Sequence, residues 1–576
     1  MASSGFCKLR WLLLLFTMVP WTPLSQAEVE KTAHNLAAPG LDKDGKSTNP
    51  CYFCHTPHNT VATRALWNRT VPGNTYKLYE SSTLKAALNQ PTGASRLCLS
   101  CHDGTIALDE RPDKAKPRKS GILTGKASLG TDLSDDHPIS FKFDSALSTV
   151  RQELVNPNLL PSSTKLDESG QLQCTSCHDA HEDLNPKFLV MDNRFSQLCL
   201  SCHLLTGWSS SVHAVSTATW KGIGLNPWAH ADYKTVAENG CANCHHVHSA
   251  GRPEALLTFE KESKNCFACH NGNGGAKDVE REFRKLSAHP IERSEAIHNP
   301  KEDPRSMDRH VACSDCHNPH AVQAGRAGSA SLPGSLKTVK GVNVSGATVA
   351  QASFEYEVCY ACHGVKEQLR TALIRKDPVT NIRSAFDPGN ASFHPVVAPG
   401  RNPNLGGLEA GYTPSTILRC SDCHNSNVAS PVKGPHGSSY EPILEREYQI
   451  QDPSPESYQA YALCYKCHNR AALLSNPNAF PHKLHVVDQQ APCAVCHDSH
   501  GSRSSSHLIN FMTRGKTGNT VVSSSKTGRL EYQNLGASQG QCYLSCHGSD
   551  HDPKRYPVPK SIQPGGVKSI LDDWQR

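Results

Sequence analysis

CTSCHDAHEDLNPKFLVMDNRFSQLCLSCH, residues 174–203, decides how this chain is read. Two C-x-x-C-H boxes open and close it, Cys174/Cys177/His178 and Cys199/Cys202/His203, and His181 lies three residues past the first box. C-x-x-C-H is the attachment signal for c-type haem. The two thiols form thioethers to the porphyrin edge, and the adjacent imidazole is set under the ring to bind iron. A second imidazole on the open face makes the iron six-coordinate. His181 is too near its own box to reach over its own ring, so it is expected to serve a neighbour. The unit proposed by this stretch is two haems, the first segment lending a ligand to the second iron.

The same box recurs from one end of the chain to the other. Attachment is expected at Cys51 and Cys54, Cys98 and Cys101, Cys174 and Cys177, Cys199 and Cys202, Cys241 and Cys244, and Cys266 and Cys269. It continues at Cys313 and Cys316, Cys359 and Cys362, Cys420 and Cys423, Cys464 and Cys467, Cys493 and Cys496, and Cys542 and Cys546. Eleven boxes are strict; the twelfth, CYLSCH, has three residues between its cysteines. A looped-out residue still leaves two thiols near one ring, so about twelve covalent haem c groups are expected. The proximal iron ligands are then His55, His102, His178, His203, His245, His270, His317, His363, His424, His468, His497 and His547.

The boxes alternate in type, which is an internal repeat. Most odd boxes continue to a histidine three residues on: His58, His181, His248, His320 and His500. The ninth has Asn427 there, but CSDCHNSNVASPVKGPHGS aligns with CAVCHDSHGS if a loop has been inserted, which makes His436 the displaced equivalent of His500. These six are expected to serve the even haem that follows. The odd haems are expected to draw on histidines that follow the even boxes: His137, His213, His289, His394, His482 and His551, with His485 competing against His551 for the eleventh. Proline after His137, His289 and His394 biases the histidine to extended backbone and holds its side chain out from a turn. His34, His230, His246, His298, His310 and His507 are left over as solvated or hydrogen-bonding side chains, with His310 the next substitute.

Composition closes other routes. Of the 25 cysteines only Cys7 lies outside a box, and a disulfide framework would not need a histidine after each second cysteine. Structural zinc wants four ligands in a tetrahedron and needs neither that histidine nor a matching supply of distal ones. Only Met191, Met307 and Met512 follow the leader, so methionine cannot serve most irons and bis-histidine ligation at low potential is expected. Six-coordinate iron passes electrons but has no free position for substrate, so no catalytic residue is assigned. The formal charge of +6 is not taken as a nucleic-acid footprint, because the Lys and Arg side chains neutralise haem propionates.

Residues 1–27 read as a secretory signal peptide: Lys8 and Arg10, an apolar run from Trp11 to Val19, then Ser25-Gln26-Ala27. The run is short for a membrane anchor, and no later segment is apolar enough to span. Export to the periplasm or cell surface is therefore expected. With 37% hydrophobic residues, many of them box cysteines, little is left for a protein-only core. The expected fold class is mainly irregular with short α-helices, a haem stack in place of a conventional hydrophobic core and a few short β-hairpins. Helical turns are expected under the boxes, because that places both thiols and the imidazole on one side.

The expected divisions are 28–150 (haems 1–2), 151–235 (haems 3–4), 236–320 (haems 5–7), a Gly/Ser/Ala-rich connection over 321–352, 353–440 (haems 8–9), 441–555 (haems 10–12) and an extended tail over 556–576. KTVKGVNV in the connection and NTVVSSSKTGRLEY before the last box are expected as surface ribbons, and Lys116–Ser134 as a polar loop.

CYFCHTPHN, CLSCHDGTIA, DHPISF, CTSCHDAH, CSDCHNPH and GPHGS are phrases that resemble the multihaem c-type cytochromes of anaerobic respiration, in the group with doubled CXXCH motifs. The resemblance runs from Cys51 to His551. It implies closely spaced haems on mostly irregular backbone, working in the periplasm or outside the cell. It implies partners among other cytochromes, membrane redox complexes and extracellular metal oxides, with oligomers or conducting filaments in some members. The alternatives carried beside it are a multihaem oxidoreductase of nitrogen or sulfur compounds with one open haem, and a filament subunit. The twelfth box and the displaced His436 depart from the family pattern.

Overall fold

The computed structural model describes residues 29–36, 49–58, 65–108, 110, 121–229, 231–291, 299, 301–303, 305–307, 310–325, 332–365, 373–379, 381–402, 405–475, 480–536 and 538–557. The leader, Cys7, His230, His298, residues 116–120 of the polar loop and nearly all of the 556–576 tail lie outside them. The chain divides into two compact units. The first gathers Met1–Thr75, Pro91–Gly130 and Pro161–Asp192, with boxes one to three; the second gathers Tyr76–Gln90, Thr131–Leu160 and Asn193–Arg576, with boxes four to twelve.

Regular structure is sparse and gathers at the boxes. Three even boxes end α-helices: α1 (Gly93–His102), α2 (Glu262–His270) and α3 (Glu355–His363). Each stops at its box histidine. Odd boxes sit on single turns, such as Cys174–Ser176, Gly240–Asn243 and Cys420–Asp422. After an odd box the chain loops back, and the box histidine makes an antiparallel bridge to a later residue: His55 to Trp67, His178 to Leu189, His245 to Leu257, His424 to Leu444, His497 to Ile509. A reversal this tight needs left-handed backbone, and Ala65, Lys187, Ala255, Ile443 and His507 supply it with φ between 57° and 64°.

The hairpin expected in the 321–352 connection is present as β1 (Gly341–Val342) against β2 (Thr348–Val349). It is not a surface ribbon. Val342 is fully buried and packs with Tyr356, Tyr360 and Phe386. NTVVSSSKTGRLEY likewise differs from expectation. Val521, Val522 and Tyr532 turn inward and join Phe511, Met512 and Leu544 in another apolar cluster. Tyr532 belongs to a three-stranded antiparallel sheet, β3 (Glu531–Gly536), β4 (Gln539–Cys546) and β5 (Ser549–Tyr556). The twelfth box therefore lies on a strand, not on a helical turn. Among the described residues no helix is long and apolar enough to cross a membrane.

Candidate haem sites

An imidazole nitrogen lies about 2.0 Å from a bound first-row metal and about 1.1 Å from its ring centre, so two imidazoles on opposite faces of one iron put their centres about 6 Å apart. Among the described residues that spacing recurs. Four odd-box histidines each face another ring: His55 and His181 at 6.1 Å, His245 and His320 at 6.1 Å, His317 and His436 at 6.1 Å, His424 and His500 at 6.2 Å. Their planes are close to parallel, between 1° and 20°. Five even-box histidines do the same: His102 with His34 at 6.3 Å, His203 with His137 at 6.3 Å, His270 with His213 at 6.2 Å, His363 with His289 at 6.3 Å and His468 with His394 at 6.4 Å. Here the planes cross at 52° to 86°.

This corrects the expected order of lending. His181, His320, His436 and His500 do not face even-box histidines; each faces the histidine of the previous odd box. His137, His213, His289 and His394 do not face odd-box histidines; each faces that of the next even box. His58 does not face His102. It is exposed, and His34, left over in the sequence reading, stands there instead. The signal for His34 was available: a histidine precedes each odd box from the third to the eleventh, and His34 precedes the first in the same way.

One ladder explains the correction. Four of the five histidines that face an even box donate their ring Nδ1 to the carbonyl just before a histidine that faces an odd box; the fifth, His137, donates Nδ1 to Pro138 and its backbone N–H to Val247, just before His248. His34 donates to Ala180, His213 to Pro319 (2.8 Å), His289 to Pro435 (2.7 Å) and His394 to Ser499. His181, His320, His436 and His500 come next in the chain, so the two distal imidazoles of a haem pair are set by one contact. His436 and His500 have the same relation to their neighbours: each faces the histidine of the previous odd box and follows a carbonyl bonded by a histidine ring. Two short strand pairs finish it: Ser287–Ala288 against Gly437–Ser438 and Ser392–Phe393 against Gly501–Ser502.

Those bonds also fix the tautomer. A carbonyl can only accept, so Nδ1 carries the proton and Nε2 keeps its lone pair for a metal. Box histidines follow the same rule: His102 donates to Ala127 (2.7 Å), His178 to Lys187 (2.8 Å), His245 to Ala255 (2.7 Å), His317 to Ser335 (2.8 Å), His424 to Pro442 (3.0 Å) and His497 to His507 (2.8 Å). Such outer bonds orient metal-binding imidazoles. Burial pushes His203, His270, His320, His424 and His468 down to about 4 and His436 to about 3, so all are neutral at pH 7, the form that binds iron. His248 meets the Asp136 carboxylate at 3.0 Å. His497 is pushed down to about 4 by burial and then by the neighbouring His482.

The thiols trace the chain order. The first cysteine of an even box lies beside that of the following odd box: Cys98 by Cys174, Cys199 by Cys241, Cys266 by Cys313, Cys359 by Cys420, Cys464 by Cys493. Second cysteines of an odd box and the next even box feel each other, as Cys54 and Cys101, Cys244 and Cys269, and Cys423 and Cys467 do. None of these cysteines forms a disulfide. A zinc site would gather thiols and imidazoles around one point. Among the described residues the one such gathering is Glu302, His310 and Asp315, which holds no cysteine. There His310 pairs with the two carboxylates at 3.2 and 3.5 Å.

These residues fit haem c: paired thiols beside paired neutral imidazoles at the spacing of one iron. Residues 168–204 and 234–275 match the doubled CXXCH motif family. These matches support a multihaem c-type cytochrome, a class that carries electrons. Among curated proteins it is similar to multiheme cytochrome MtrA of Shewanella baltica, with 25% identity over 206 residues. The similarity covers 34% of this chain and 43% of that relative's length.

Proposed function

We propose that this protein is an exported electron carrier with about twelve haem c groups, one on each box, their irons held by two histidines. The recurring imidazole pairs at 6.1 to 6.4 Å carry this reading. Each box thiol adds across a haem vinyl group; the sulfur–carbon bond forms at one vinyl carbon and the hydrogen goes to the other. Thiols of neighbouring boxes lie beside one another in chain order, so within each unit electrons pass from haem to haem in that order. Bis-histidine ligation keeps the potentials low. The leader over residues 1–27 supports work in the periplasm or at the cell surface, between membrane redox complexes, other cytochromes and extracellular metal oxides.

Low-temperature EPR of the oxidised, purified protein tests the ligation. Near-parallel imidazole planes give rhombic low-spin ferric signals, and crossed planes give signals with a large maximum g. Both sets are expected, in comparable amount. A dominant high-spin signal would count against the reading and favour an enzyme with open irons. A mass equal to the bare polypeptide would end it.

A further inference from the structure

The twelfth box is built differently from the rest, and the difference is one of parity. On a helical turn, residues at i, i+3 and i+4 share a side, which is how C-x-x-C-H gathers its three groups. On a strand, side chains alternate, so only even offsets share a face. Cys542 and Cys546 are four apart on β4, and the extra residue in the box puts them on one face. His547 follows Cys546 at an odd offset and sits in the turn, with left-handed backbone at φ 48°. Its Nε2, the nitrogen that iron would need, donates to the Asp452 carboxylate at 2.8 Å, and that carboxylate is 5% exposed.

Another imidazole lies on the cysteine face. His551 on β5 stands opposite Leu544, which falls between the two cysteines on their side of β4. The ring of His551 faces that of His485 at 6.3 Å, with the planes crossed at 81°. His485 Nδ1 donates to the Pro481 carbonyl at 3.1 Å, so Nδ1 carries the proton and Nε2 the lone pair. The spacing is that of one iron, and the crossing angle is that of the even sites. The chain position also fits, because each even site takes its distal histidine from the segment before the preceding odd box, and His485 precedes the eleventh.

We infer that the iron of the twelfth haem is held by His485 and His551, and that His547, the histidine of the box itself, is a positioning residue tied to Asp452. This rests on haem being attached at the boxes. It also corrects two sequence expectations: His547 is not the proximal ligand, and His485 and His551 do not compete for the eleventh iron but stand on the two sides of one slot.

The test uses the full-length exported protein, with haem number read by intact mass and spin state by EPR. H551A is expected to keep the haem number and convert one iron to high spin, at the expense of the crossed-plane signals. H485A is expected to do the same. H547A is expected to leave every iron low spin. H551M keeps six ligands and guards against misfolding of the alanine variant; it is expected to raise the potential of one haem and leave the rest. One new high-spin iron in H547A, with H551A unchanged, would overturn the assignment. So would a wild-type protein lacking one haem, with Cys542 and Cys546 free to alkylation. Loss of all haem is a separate outcome and overturns the electron-carrier reading itself.

Discussion

The odd and even sites of this protein hold their imidazoles in two different ways. At odd sites the box histidine sits on a single turn, a return loop fixes its Nδ1, and the distal ring lies nearly parallel to it. At even sites several boxes close an α-helix, and the distal ring comes from an extended segment and crosses the proximal one. The two kinds are not independent. A bond from the even distal histidine to the carbonyl before the odd distal histidine ties them together, as His289 is tied to Pro435 and His394 to Ser499. The difference teaches that the structural repeat is a pair of sites, as the alternation of the boxes implied, while each added imidazole faces a box other than the one that chain order suggested.

The largest effect is expected where the two kinds are joined. A Cβ at Gly437 would collide with the carbonyl oxygen of Glu282, and one at Gly501 with that of Ala385. Each glycine follows an odd distal histidine and pairs with the strand leading to an even one. G437A is expected to destabilise the protein by at least about 1–3 kcal/mol, the usual cost of overpacking, and to disturb two irons together. Thermal unfolding and EPR check this; loss of only one low-spin centre would break the pairing. Single ligand removals come next. H320A and H213A are each expected to leave the haem number unchanged and open one iron. H320A should draw down the near-parallel EPR signals and H213A the crossed ones, and the reverse result would exchange the two classes.

Ligand exchange is expected to do less. H500M and H394M keep six ligands, and each is expected to raise the potential of one haem in a redox titration, since His/Met ligation lies higher. The smallest effect is expected outside the ligands. The Asp179 carboxylate lies 3.3 Å from His181 Nδ1. D179N removes a charge that makes that imidazole a stronger donor, so one potential should rise by less than in H500M, with stability unchanged. A shift as large as that of H500M would mean that Asp179 holds the ring in place.

The boxes were legible because attachment is local chemistry: two thiols and an imidazole within five residues announce themselves wherever the backbone goes. The displaced His436 was legible for a related reason, since the GPHGS phrase keeps the glycine and serine that its strand pair needs. Partner choice was not legible. His181 and the even-box His203 are 22 residues apart, yet the ring His181 faces is His55, more than a hundred residues back. Nearness along the chain favoured the wrong partner, and no periodicity marks the right one. The sheet at the twelfth box was also hidden, because Val521, Val522 and Tyr532 read as part of a polar ribbon until they meet Phe511 and Met512.

What the amino-acid order alone determined was the kind of cofactor the boxes suit, because the chemistry of attachment belongs to residues a few bonds apart. What only the tertiary structure decided was which two imidazoles face each other at the spacing of one iron, and that the twelfth box is a strand whose own histidine sits in the following turn. Those outcomes depend on backbone carbonyls such as Ala180, Pro435 and Ser499 meeting side chains from distant segments, and a carbonyl's position is not written in any side chain.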